Sequence, residues 1–184
     1  GNVNIGIDVD GVLTDYEFYL DYFAKKLDSQ VCINPCGTEP KKRFDWSDEQ
    51  VWRFYKKYFL WYVKNMPIRV NVAATLKELK KEGHKIYIIT ARAYADRKTF
   101  FGWLMRVCLK HWLKRNEVPY DGLYFVNMEN SPEEKANLIK KLNIDYFIED
   151  TPENIEKMKE YCKVICIKAG YNRDLTGVTY ANDF

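Results

Sequence analysis

The sequence predicts an α/β fold: a Rossmann-like parallel sheet with helices on both faces, plus a small helical cap inserted after strand one. Three observations carry this. An apolar strand near the start, Ile5-Gly6-Ile7-Asp8-Val9, runs into two acids and a glycine turn. A second run, Ile86-Tyr87-Ile88-Ile89, holds four apolar residues in a row, as a strand buried on both faces requires. Strand-like and helix-like stretches then alternate to about residue 167, which calls for parallel strands joined by right-handed crossovers.

The first strand covers about residues 3–9. Asp8 and Asp10 stand two apart, so in extended backbone they project to one side at the strand's carboxyl end. Open α/β sheets bind ligands at that end. Two acids this close repel unless a cation or a shared proton intervenes. A hard divalent cation is the simplest remedy, and magnesium typically takes one or two carboxylates together with substrate phosphate.

Thr14-x-x-Glu17 reads as a capping box opening a helix with Phe18, Tyr22, Phe23 and Leu27 on one face. Asp15 complements the dipole of its first turn. Pro35, Gly37 and Pro40 make 29–46 a loop. Ser47-x-x-Gln50 caps a second helix bearing Val51, Trp52, Phe54, Tyr55, Tyr58, Phe59 and Trp61, apolar on more than one side. Met66-Pro67 ends it. The segment 16–66 lacks a strand and so reads as the cap, with 1–15 and 67–184 forming the core. Val72, Leu76 and Leu79 mark a helical stripe that Gly83 closes. After the strand at 86–89 comes a long helix with Phe100, Phe101, Leu104, Val107, Cys108 and Trp112, then a short strand at 122–126. Ser131-Pro132-Glu133-Glu134 combines a capping box with proline at the first helical position. Tyr146-Phe147-Ile148 is a strand ending at Glu149-Asp150; Thr151-Pro152 begins another helix; Val164-Ile165-Cys166-Ile167 is the last strand, and 168–184 reads as loop.

Composition narrows the function. The chain has 184 residues, 47% of them apolar, enough for a sizeable core, and its net charge of +3 comes from interspersed acids and bases. No basic groove for a nucleic-acid polymer is indicated. No run reaches membrane-spanning length and no signal-peptide pattern opens the sequence. Five cysteines, an odd number, argue for free thiols in a reducing compartment, hence a cytoplasmic protein. Cys32 and Cys36 are half of a zinc spacing with no second half, so ordinary loop cysteines are the better reading.

The run Asp8-x-Asp10-Gly11-Val12-x-Thr14-Asp15 resembles the nucleophile motif of the haloacid dehalogenase superfamily of phosphatases. That pattern asks for three further elements, and each is present in order. Thr90 closes the second apolar strand, where a hydroxyl and backbone amides can donate to a phosphate oxygen; Arg92 beside it is a further candidate. Lys135 sits in the first turns of a helix, where dipole and ammonium act together on an anion, with Lys140 and Lys141 as alternatives. Glu149-Asp150 is the acidic pair after a strand, with Asn154 four residues on; the glutamate departs from the usual aspartate or glycine, and the choice for the metal falls on Asp150.

The resemblance implies a magnesium-dependent phosphomonoester hydrolase. Asp8 would attack phosphorus to give an aspartyl-phosphate; Asp10 would protonate the leaving oxygen and later activate water. Thr90 and Lys135 would hold the transferring oxygens. Mg2+ would sit on the Asp8 side chain, the Asp10 backbone carbonyl and the Asp150 side chain. The motif and the cap after strand one are similar to those of the 5'(3')-deoxyribonucleotidases and related bacterial nucleotidases. In those enzymes the aromatic eight residues beyond the nucleophile packs on the base; here it is Tyr16. The implied partner is therefore a small phosphate monoester, a nucleoside monophosphate. Phe44, Trp46, Trp52 and Trp61 offer more stacking surface, against the plainer reading that they hold the cap together. Two rivals are a sugar- or polyol-phosphate phosphatase of the same superfamily and a phospho-accepting receiver domain. A receiver's phosphorylated aspartate closes a later strand, whereas here the acids close the first.

Overall fold

The first strand is shorter than its apolar pattern. In the computed structural model, which describes residues 1–184, β1 (Asn4–Ile7) stops ahead of Asp8. The chain then turns sharply: the amides of Val12, Leu13 and Thr14 all donate to the Val9 carbonyl. Gly11 takes φ +88° in that turn, and a Cβ there would collide with the Asp150 carboxylate.

Three helices follow: α1 (Tyr16–Leu27), the single-turn α2 (Pro40–Arg43) and α3 (Asp48–Asn65). The remaining elements alternate: α4 (Val72–Lys81), β2 (Lys85–Thr90), α5 (Phe100–Arg115), β3 (Gly122–Phe125), α6 (Ser131–Lys141), β4 (Tyr146–Glu149), α7 (Pro152–Met158), β5 (Lys163–Ile167) and β6 (Thr179–Ala181). All strand pairs are parallel, in the order β3-β2-β1-β4-β5-β6. Ile7 pairs with Ile88 on one side and Ile148 on the other, so β1 is central. The order reverses between β1 and β4. That switch point leaves a crevice at the carboxyl ends, flanked by Thr90, Asp8 and Glu149.

Period-2 alternation divides the sheet between two cores. Ile5, Ile7, Ile86 and Ile88 pack on one face against Val72 and Leu76 of α4 and Leu109, Trp112 and Leu113 of α5. Ile89, Phe147, Val164 and Cys166 pack on the other, against Ile139 of α6 and Ile155 and Met158 of α7. A third cluster lies over the carboxyl ends: Tyr19, Leu20 and Ala24 of α1, Phe44, Trp46, and Phe54, Tyr62 and Val63 of α3. Met105 of α5 joins it, so α5 touches both core and insert. The loop ahead of α2 is tied by the buried Arg43. Its Nε and one terminal nitrogen reach both oxygens of Asp21 at 2.6 and 2.7 Å, and its other terminal nitrogen donates to Pro35 and Gly37 carbonyls.

Several local expectations shift. Thr14 does not cap α1; Asp15 does, accepting from the Phe18 amide at 3.0 Å, because the Thr14 hydroxyl is used elsewhere. Ser131 is likewise inside α6, with Asn130 in the cap position. Glu134 instead accepts from the Asn127 amide at 3.0 Å. The tail read as loop contains β6, whose three residues are too few to show alternation; its pairing with β5 supplies the order its sequence does not. All five cysteines are free thiols, and no helix is long and apolar enough to cross a membrane.

Candidate active site

Asp8 follows β1 immediately, and its amide donates to the Ile148 carbonyl at 3.1 Å, which fixes it beside the end of β4. Its carboxylate is almost fully buried. Lys135 reaches it from α6: Nζ lies 3.2 Å from Asp8 Oδ1 and 2.8 Å from Glu149 Oε2, with its side chain 1% exposed. Asp150 comes next along the chain. Carboxylate oxygens of Asp8, Glu149 and Asp150 all lie within 4.8 Å of one another. Lys140 and Lys141 make no contact with this group. Asp150 is held from the tail, where the Tyr171 hydroxyl donates to its carboxylate and Asn172 Nδ2 to its carbonyl at 2.8 Å.

Three carboxylates and one ammonium in a buried crevice carry excess negative charge. Burial first, then the neighbouring Glu149, pushes Asp8 well above the usual carboxylate range. The same two causes lift Asp150 to about 8. Burial also works against ionised Glu149, but Lys135 and hydrogen bonds outweigh it and hold it below its ordinary value. Burial disfavours the Lys135 ammonium, yet Asp8 and Glu149 more than compensate. A divalent cation among these oxygens would remove the repulsion. The all-oxygen donor set, and the bare Cα of Gly11 against Asp150, suit magnesium.

Thr90 ends β2 with its hydroxyl wholly buried and without a hydrogen-bond partner. Ser131 Oγ is in the same condition, one helical turn before Lys135 on the same face of α6. An anion in this crevice would satisfy both hydroxyls beside the Lys135 ammonium.

Asp10 does not join the acid cluster. Beyond β1 the backbone is turned rather than extended, so the two carboxylates take different partners. Asp10 Oδ1 accepts from an Arg92 terminal nitrogen at 2.5 Å and from the Tyr62 hydroxyl, whereas Oδ2 has only Arg92 Nε at 3.4 Å. The second terminal nitrogen of Arg92 is buried with no partner. Burial, then Asp10, pushes Tyr62 well above the usual phenol value, so its hydroxyl keeps its proton.

Tyr16, first residue of α1, sits beside this pair, its ring edge-on to Tyr62 at 5.4 Å and stacked on Tyr19 at 5.8 Å. Phe44 and Trp46 are buried inside the insert, Trp61 stacks on Tyr19, and Trp52 projects to solvent. Asn154 is buried in the first turn of α7. A groove of about 630 Å³ between the insert and the segment that follows it, lined by Phe18, Tyr22, Trp61 and Val70, contains none of the acids of the cluster.

Sequence reasoning missed Tyr62, Ser131, Tyr171 and Asn172. Tyr62 is one aromatic among many on α3, and Tyr171 and Asn172 lie in an unpatterned tail. Ser131 reads in the sequence as a helix cap.

Comparison with known proteins gives a family and a fold. The family described as 5' nucleotidase, deoxy (pyrimidine), cytosolic type C matches residues 2–184. A nucleotidase of Clostridium acetobutylicum is 28% identical over 180 residues, covering 93% of this chain and 83% of its own. A hydrolase from Streptococcus pneumoniae superposes with a TM-score of 0.59 at 15% identity, covering 89% of this chain and 91% of its own. A heptose bisphosphate phosphatase from B. bronchiseptica, solved with magnesium and phosphate, superposes with a TM-score of 0.56 at 11% identity, covering 98% and 93%.

Proposed function

We propose a function from one premise: this chain belongs to the 5' nucleotidase, deoxy (pyrimidine), cytosolic type C family of the haloacid dehalogenase superfamily, and is a phosphatase. It hydrolyses nucleoside monophosphates in a magnesium-dependent reaction through an aspartyl-phosphate on Asp8. The observation that carries this is the setting of Asp8, buried beside Lys135 and Asp150 at the end of the sheet where Thr90 closes the neighbouring β2.

The division of labour follows from the environments. Asp8, close to Lys135, is the nucleophile; the ammonium steers it and neutralises the incoming phosphate dianion. Thr90 and Lys135 hold the transferring oxygens. Asp10, outside the cluster and beside the insert, gives its proton to the leaving oxygen and then takes one from water. Asp8, Asp150 and the Asp10 carbonyl would hold Mg2+, which supplies charge neutralisation between carboxylate and phosphate. Tyr16 would offer a ring to the base, so the insert, 16–66, acts as a cap on a core of 1–15 and 67–184. Closure would exclude water.

Turnover of a panel of nucleoside monophosphates against sugar and polyol phosphates, with magnesium, tests the substrate. Preference for the sugars would replace the nucleotide reading while keeping the chemistry. Asp8→Asn should abolish turnover and leave fold and magnesium binding largely intact; wild-type rates in that variant would refute the nucleophile.

A further inference from the structure

We propose that Tyr62 is a positioning residue for Asp10, so that the insert supplies part of the acid–base machinery. This rests on the reading of Asp10 as the proton donor and acceptor. Asp10 lies in a turn, outside any strand or helix, so its own backbone does little to aim its carboxylate. Two side chains from different parts of the molecule do so: Arg92 from the loop after β2, and Tyr62 from the last turns of α3. Tyr62 is buried, packed against Tyr16 and Tyr19, with the Arg92 guanidinium 5.5 Å over its ring.

The hydrogen bonds have a definite direction. A phenol has one proton, and Tyr62 gives it to the Asp10 carboxylate. Thr14 Oγ1, 2.8 Å from the phenol oxygen, must then donate to it. Thr14 Oγ1 in turn accepts from the Gly11 amide at 3.3 Å. The relay begins and ends in the turn that carries Asp10 and passes through the insert. Tyr62 and Arg92 both occupy Oδ1. Oδ2, with its single long contact, is therefore the oxygen free to exchange a proton.

In the step this serves, Asp8 Oδ forms a bond to phosphorus as the ester P–O bond breaks. A proton that Asp10 has taken up from water on Oδ2 before the step moves to the departing oxygen, and Asp10 is left as a carboxylate. Tyr62 and Arg92 bind that charged product form, so their hold strengthens as the proton leaves.

The test uses leaving groups. p-Nitrophenolate departs without protonation, whereas phenolate departs far better with it. With magnesium present, kcat/KM is measured for p-nitrophenyl phosphate and phenyl phosphate in the wild type, Tyr62→Phe, Asp10→Asn and the double variant. Tyr62→Phe should lose about tenfold or more with phenyl phosphate and under about threefold with p-nitrophenyl phosphate. It should add nothing to Asp10→Asn. An unchanged rate on both esters, an equal loss on both, or a further loss in the double variant overturns the proposal. Wild-type rates in Asp10→Asn overturn the acid–base reading itself. A selective loss in Asp10→Asn with none in Tyr62→Phe overturns only the positioning role. Should Tyr62→Phe not fold, Thr14→Val interrupts the same relay from the core side and should show the same selective loss.

Discussion

Thr90, as the proposed phosphate contact, would separate catalysis from stability within one side chain. Its hydroxyl is buried and unpaired, so folding desolvates it with nothing in return. Thr90→Val keeps the shape and removes that penalty. The variant should melt no lower than wild type, while kcat/KM for p-nitrophenyl phosphate falls about 100-fold, as when a donor to a developing oxyanion is deleted. A stability loss above about 1 kcal/mol would mean the hydroxyl has a structural partner after all. Residues such as Asp8, Thr90, Lys135 and Asp150 are legible in the sequence because each stands where an apolar run ends or a helix begins, so local pattern alone locates them. Tyr62 and Tyr171 are not. Each does its work through a single hydroxyl meeting an acid far away in the chain, and no periodicity encodes that meeting.

Among the elements, α3 shows how local signals succeed. Ser47 and Gln50 form the reciprocal cap their spacing foretells, with the Gln50 amide 3.3 Å from Ser47 Oγ and the Ser47 amide 2.9 Å from Gln50 Oε1. The opposite end of the helix, with Tyr62 and Val63, is secured by burial instead. Ser47→Ala should therefore cost about 1 kcal/mol in urea unfolding and leave kcat/KM within about twofold, because fraying at the first turn does not reach Tyr62. A large loss of activity would show that the helix moves as one lever. Local signals fail at α1 and α6 for the opposite reason. Thr14 and Ser131 both have the residue type a cap wants, but tertiary contacts or burial claim their hydroxyls, and the neighbouring Asp15 and Asn130 take the cap positions. The parallel order, by contrast, follows from alternation over the whole chain and needs no single residue to be right.

At the scale of the whole molecule, the acid cluster couples folding to protons and, with magnesium bound as proposed, to metal. In the unfolded chain Asp8 and Asp150 return to ordinary carboxylates with pKa near 3.8. Folded and metal-free, both are raised, Asp150 to about 8, because burial and Glu149 disfavour their charged forms. Between those limits the folded protein keeps protons that the unfolded chain has released, so stability must fall as pH rises. The Asp150 contribution is present in full in acid and is lost as pH rises through about 8; the Asp8 contribution has the same sign. Glu149 has the opposite sense: lowered in the fold, it contributes at neutral pH and loses its effect only in acid. The raised Lys135 keeps its contribution until strongly alkaline pH. Across neutrality Asp150 therefore sets the slope, and Asp8 acts in the same sense. The melting temperature of the metal-free protein should drop between about pH 6 and pH 8, and magnesium should flatten or reverse the trend by binding the ionised carboxylates. Asp150→Asn, which never ionises, should flatten it without metal. A metal-free melting temperature that stays level across that range, with magnesium making no difference at its upper end, would mean that these acids neither retain extra protons nor gather around an ion.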